Sequence, residues 1–158
     1  MLRSIDRIAV VFPMPAEQAN VEIRLLNAEE MHRILPLIQQ LNPTIPSATL
    51  TKRLAEMIEL GYQCVGAFKN GKLVGAAGMW FGARFYCGRY IDVDNVIVDQ
   101  EQRSSGIGSL LMSWIEAYAR TQRCEVSVLD AYTTNTSAHR FYLRDGYKII
   151  GFHFYKDL

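Results

Sequence analysis

The stretch "EQRSSGIGSLL" (residues 101–111) decides how this chain is read. A basic residue comes first, then small hydroxyl residues, then two glycines one residue apart, then a helical run. Gly106 and Gly108 therefore stand where a loop passes into a helix. The first amides of a helix lack intrahelical acceptors and carry the positive end of its dipole. Glycine has no Cβ, so an anion can approach that backbone closely. Arg103 offers a charge-assisted contact, and Ser104, Ser105 and Ser109 offer hydroxyls around Ile107. Two common phosphate loops do not fit. A Walker A loop would need Gly where Glu101 stands and Lys where Ile107 stands. A dinucleotide G-x-G-x-x-G would need a third Gly at Leu111.

Working outward, Ile107, Leu110, Leu111, Trp114, Ile115 and Tyr118 form one helical face after the cradle. Upstream, "YIDVDNVIV" (90–98) reads as a strand. Period two places Asp92, Asp94, Val96 and Val98 on one face and Ile91, Val93, Asn95 and Ile97 on the other. Further back, Asn70-Gly71 is a hairpin turn between strands 62–69 and 72–81. Residues 82–89 read as an aromatic and Gly-rich connection. A strand (21–26) comes first. A helix (28–41) that Asn27 caps and Pro36 kinks or splits follows, and then a helix (48–60) after Ser47. Downstream, 124–131 reads as a strand, 135–145 as a short helix stopped by Gly146, and 147–157 as one or two closing strands. The order is β-α-α-β-β-β-α-β-α-β, a mixed α/β chain.

Bulk properties fit one domain over 21–158, with 1–20 a tail or an extra edge strand. With 158 residues, 49% hydrophobic and 21% charged, the chain can bury a core without disulfides. A net charge of +1 gives a nucleic-acid partner no support. The apolar run Ile8–Phe12 is too short for a secretion signal, and no stretch reads as a membrane span. Cys64, Cys87 and Cys124 are widely spaced and odd in number, which reads as reduced thiols in a cytoplasmic protein. Together with the scattered His32, His139 and His153, they offer no metal spacing.

What remains is Arg103-x-x-Gly106-x-Gly108, which resembles the pyrophosphate signature Q/R-x-x-G-x-G/A of the GNAT family of N-acetyltransferases. Downstream, "NTSAHRFYLRDGY" (135–147) is similar to that family's N-x-x-A-x-x-F-Y-x-x-x-G-Y/F. The resemblance is sharp over 91–147 and extends in element order over 21–158. It implies an acyl-CoA N-acyltransferase (GNAT-like) fold, with a mixed, mostly antiparallel central sheet flanked by helices. It also implies acetyl transfer from acetyl-CoA to an amine. The cradle 103–109 would hold the CoA pyrophosphate. Backbone groups of Val96, Ile97 and Val98 would pair with the pantetheine arm, where strands 90–98 and 124–131 splay. An amide there would face the thioester oxygen.

Tyr142 matches the tyrosine with which the family often protonates the departing thiolate. A phenol of pKa about 10 facing a thiol of about 8.5 makes that transfer uphill by about 2 kcal/mol, which a modestly lowered phenol would erase. Asn135 caps the short helix and, in the family, often contacts the CoA arm. Asp92 and Asp94 are candidates to take the amine proton, since an alkylamine is mostly protonated at neutral pH. They read equally well as solvated acids or as partners of Arg84 and Arg89. Trp80, Phe81, Phe85, Tyr86 and Tyr90 could line an acceptor pocket, fill the core, or form the face of a homodimer. A non-catalytic acyl-CoA sensor and a domain for another nucleotide are the rival readings.

Overall fold

Asn70 and Gly71 both take positive φ, 51° and 76°, as a two-residue hairpin turn requires. They join β2 (Gln63–Lys69) to β3 (Lys72–Arg84) in the computed structural model, which describes residues 20–158. β1 (Val21–Leu25) pairs antiparallel with β2. β3 runs further than the alternation predicts and turns at 85–87 into β4 (Gly88–Val98), so residues 82–89 are mostly strand. β5 (Val126–Leu129) lies parallel to β4, giving the order β1-β2-β3-β4-β5. The mixed, mostly antiparallel sheet is as expected.

Helices cover both faces. Asn27 and Glu30 cap each other reciprocally: the Glu30 amide donates to Asn27 Oδ1 at 2.9 Å, and the Asn27 amide donates to the Glu30 carboxylate. One 3₁₀ turn (Met31–Ile34) follows. Pro36 then sits in the first turn of α1 (Leu35–Leu41), where its missing N–H costs nothing. This is the split that Pro36 foreshadows. In α2 (Ser47–Glu59), Ser47 is the first helical residue rather than the cap. α1 and α2 cover one face of the sheet through Ile34, Leu37, Leu54 and the strand residues Phe68 and Ile97. α3 (Ile107–Thr121) covers the other through Ile107, Leu111, Trp114, Ile115 and Tyr118, with Met112 added to the expected stripe. A short 3₁₀ turn (Gln100–Gln102) precedes α3. α4 (Thr136–Arg144) follows β5, and Asn135 caps it by accepting from the Ala138 amide at 3.1 Å.

Two further expectations are corrected. The closing strands at 147–157 are absent: among the described residues, 148–158 form no helix, strand or backbone hydrogen bond. A strand needs an edge in register, and the chain is held first at Tyr147, through the Tyr142 carbonyl and the Ser127 hydroxyl, at 3.0 and 2.7 Å. The single-face reading of β4 also fails. Gly78 faces Asp94 while Ala76 faces Ile97, so Asn95 and Val96 together oppose Ala77. Asn95 sits at φ 50° in this β-bulge. The extra residue reverses the alternation. Asp92 and Asp94 share the α1/α2 face with their partners Trp80 and Gly78, whereas Val96 and Val98 pack on the α3 side.

Candidate active site

The bulge lies beside an opening. β4 and β5 pair from Tyr90↔Val126 to Val93↔Leu129 and then part, although β4 runs on to Val98. The groove so formed, of about 250 Å³, is lined by Val96, Val98, Gly108, Asn135, Ser137, Ala138, Phe141 and Tyr142. Five of these are residues that the sequence picks out. Ser137, Ala138 and Phe141 are additions. Phe141 and Tyr142 project about 100° apart on α4, and both turn toward the groove, with ring centroids 5.2 Å apart.

At one end of the groove stands the N-terminus of α3. Gly106 caps it at φ 81°, a left-handed conformation that L side chains rarely adopt. No side chain caps this end and no acid lies in its first turn, so its amides and dipole are open to an anion. A Cβ on Gly108 would come within 3.5 Å of Phe141 and 4.0 Å of Val98, which narrows the groove. Ser104 also takes positive φ, 63°, and the Ser105 hydroxyl donates to the Gln102 carbonyl. Arg103 and these serines are exposed on the loop, and Ser109 is half-buried. The side chains of Ile97 and Ile107 are buried in the core on opposite faces of the sheet, leaving only their backbone for a ligand.

Tyr142 is half-buried, and burial, with a smaller push from Asp145, raises its phenol. The shift is opposite to the lowering that would ease proton transfer. Behind it, ring centroids 5.8 Å away, burial lifts Tyr147 to about 12 despite its bond to Ser127.

Across the sheet the chemistry changes. Asp94 stands one residue past the last β4–β5 pair. Its Oδ2 accepts from Trp80 Nε1 at 3.5 Å. Burial raises its carboxyl, the Trp80 and Asn95 bonds oppose this, and Asp130 adds repulsion. Asp92 is also raised, by burial first and then by Asp130, with Arg84 pulling the other way. Tyr62 lies beneath: a Cβ on Gly78 would collide with its ring, and the Asn95 side chain reaches its hydroxyl. Of the five aromatics, Trp80 joins this acidic face and Tyr90 lies along it under Arg84. Phe81 turns to Tyr118 on the α3 side, and Phe85 and Tyr86 are exposed at the hairpin tip. Asp130 escapes sequence reading because β5 must lie beside β4 before it approaches the other acids.

The comparisons agree with this geometry. A model of the acetyltransferase (GNAT) family matches residues 30–147. An aminoalkylphosphonate N-acetyltransferase of Salmonella typhimurium is 34% identical over 93 residues, 58% of this chain, and the chain spans 60% of that relative. The fold is similar to a ribosomal-protein-alanine N-acetyltransferase of Brucella melitensis biovar Abortus, with a TM-score of 0.75 at 20% identity, covering 87% of this chain and 99% of that one. It is equally similar to an aminoglycoside N-acetyltransferase solved with CoA, with a TM-score of 0.75 at 17% identity, covering 87% and 94%. Family model, sheet order and groove converge, and the chain belongs to the GNAT acetyltransferase family.

Proposed function

We propose that this protein transfers an acetyl group from acetyl-CoA to a primary amine by direct attack on the thioester. The observation that carries the reading is the groove where β4 and β5 part, leading to the uncapped start of α3. Acetyl-CoA supplies the activated acyl group. The amides at Gly106–Ser109, with Arg103, Ser104 and Ser105 at the rim, bind its pyrophosphate. Val96–Val98 present unpaired backbone to its arm as a strand edge would, with Asn135 opposite. The bulge frees an amide at Val96 to stabilise the carbonyl oxygen as charge develops there.

The acceptor comes from the acidic face. Asp92, Asp94 and Asp130 draw a cationic amine, and Asp94, nearest the opening, takes its proton directly or through a water. The nitrogen bonds to the carbonyl carbon, the C–S bond breaks, and the second proton that the nitrogen sheds passes through water to the departing sulfur, so that CoA leaves as the thiol. Tyr142 donates a hydrogen bond to the departing sulfur. Burial raises this phenol, so Tyr142 serves the sulfur as a hydrogen-bond donor and keeps its own proton. The donor and the three free cysteines suit a cytoplasmic protein. Among the described residues, no helix is long and apolar enough to cross a membrane.

The test is release of CoA thiol on incubation with acetyl-CoA and a panel of alkylamines, polyamines, aminoalkylphosphonates and peptide N-termini. Release with at least one acceptor is expected. Tight CoA binding with no release above background for any of them would favour a sensor instead.

A further inference from the structure

Tyr62 is a buried phenol to which the proposed chemistry gives no task; only 5% of it is exposed. It follows Gly61, which turns the chain out of α2 at φ 95°, and its amide donates to the Met57 carbonyl at 2.9 Å. From there the ring reaches the sheet at Gly78, the cross-strand partner of Asp94. A Cβ on Gly78 would overlap the Tyr62 hydroxyl. The phenol therefore fills the place of the side chain that Asp94's partner lacks. Burial pushes its pKa well above the usual phenol value, so it keeps its proton and stays neutral.

Two contacts of this phenol matter. Its ring packs on the Trp80 indole, with centroids 5.1 Å apart and planes at 50°. Its hydroxyl is reached by the Asn95 side chain. Trp80 and Asn95 are also the two residues that donate to Asp94. Trp80 Nε1 donates to Oδ2 at 3.5 Å, and the Asn95 backbone amide donates to the same carboxylate. Asn95 is at the same time the bulge residue, at φ 50°. A residue other than glycine keeps such a conformation where its surroundings hold it there. The Tyr62 hydroxyl is one such hold.

We propose that Tyr62 is a positioning residue for acetyl transfer: its hydroxyl, through Asn95, holds the Asp94 carboxylate and the Val96 amide in fixed relation. The inference rests on the roles proposed above for Asp94 and Val96. Tyr62 itself touches neither substrate; it acts through the bulge. When the hold is lost, the Asn95 amide serves Asp94 less well, and the carboxylate loses a donor that favours its charged form. The other titratable groups around Asp94 are Asp92 and Asp130, which face Arg84 and His153, and the Cys64 thiol. The variants below leave all of them in place.

The test uses the full chain and a variant that keeps the ring, Tyr62→Phe. Carbon-13 labelled aspartate carboxyls are titrated by NMR without substrate, with Asp94→Asn identifying the resonance. The Asp94 midpoint is expected to move to higher pH in Tyr62→Phe. With an accepted amine, the acid limb of kcat/KM should move with it, and kcat should fall roughly three- to tenfold, the range for one hydrogen bond. CoA affinity should hold. A purely structural tyrosine would lower Tm and leave the midpoint where it was. Asn95→Gly cuts the same contact from its other end, so its midpoint should also rise, and it replaces Tyr62→Phe if that variant does not fold. The double variant should move no further than the larger single one. An unmoved midpoint in a folded variant, or shifts that simply add, would overturn the proposal. Failure of the transfer reading looks different: wild-type protein would release no thiol with any acceptor, while the midpoint shift would still support the hold on Asp94.

Discussion

The two halves of β4 belong to one strand, with Asp92 and Val98 only six residues apart, yet they face different problems. Before Asn95, the outward side chains are Asp92 and Asp94, set beside Trp80 and above Tyr62, with carboxyls raised by burial and by Asp130. After it, Val96 and Val98 line an uncharged groove against α4 and Gly108. In a regular strand these residues would share a face. One extra residue moves the groove and the acidic face to opposite sides of the sheet. The parting of β5 then lets the two sides meet at a single gap. On the proposed reading, a bulge here lets two substrates reach one point from two directions.

The acidic half is the place to break first. Asp94→Asn is expected to lower kcat/KM by roughly 10²–10³-fold, the range for loss of a general base, with CoA affinity unchanged; titration calorimetry beside steady-state kinetics checks both. The wild-type rate should rise with pH through the raised carboxyl pKa, and the variant should lose that limb. Stability should move the other way. A carboxyl raised in the folded state binds its proton more tightly there than in the unfolded chain. Its favourable contribution is full below about pH 3.9 and is lost as pH rises through the folded pKa. At neutral pH a buried charge remains, so Asp94→Asn should raise Tm at pH 7, with the gain vanishing near pH 3.

On the donor half, Gly108→Glu places a side chain and a negative charge in the groove. CoA affinity should fall roughly 100-fold, about 2.7 kcal/mol by the usual conversion, with little change in Tm. A smaller effect belongs to Tyr142→Phe, which keeps the ring and removes the hydroxyl. We expect kcat to fall roughly tenfold, of the order of one hydrogen bond in the transition state, while CoA affinity holds. An unchanged kcat would remove Tyr142 from the chemistry. The divider itself gives the smallest effect. Asn95→Val forces a β-branched residue to φ 50° at a cost of about 1–2 kcal/mol, some degrees of Tm at this size. Asn95→Gly keeps the conformation and loses only the reach to Tyr62, so its Tm should fall less.

Much of this was legible in residues alone. The Asn70-Gly71 turn, the α3 stripe, Pro36 and the two motifs around Gly106 and Asn135 each act locally, so short sequence windows carry them. The bulge was not legible, because alternation through "DVDNVIV" looks unbroken. The one signal was Asn95 itself, an uncommon strand residue that tolerates positive φ. Asp130 and Trp80 enter the acidic face only through strand pairing, which no local window contains. The closing segment misled for a related reason: its pattern is that of a strand, but pattern alone does not bring its backbone into register with an edge.

The Trp80 indole has a use apart from its bond to Asp94. The chain holds two tryptophans. Trp114 is sealed in the core under α3, where solvent and substrate cannot reach it. Trp80 stands half-buried at the acidic face, its N–H on a titrating carboxylate. The molecule therefore carries one shielded indole and one at the acidic face, and a change in emission is expected to report on the charge of Asp94 and, on the proposed reading, on arrival of an amine, without a label and before any turnover.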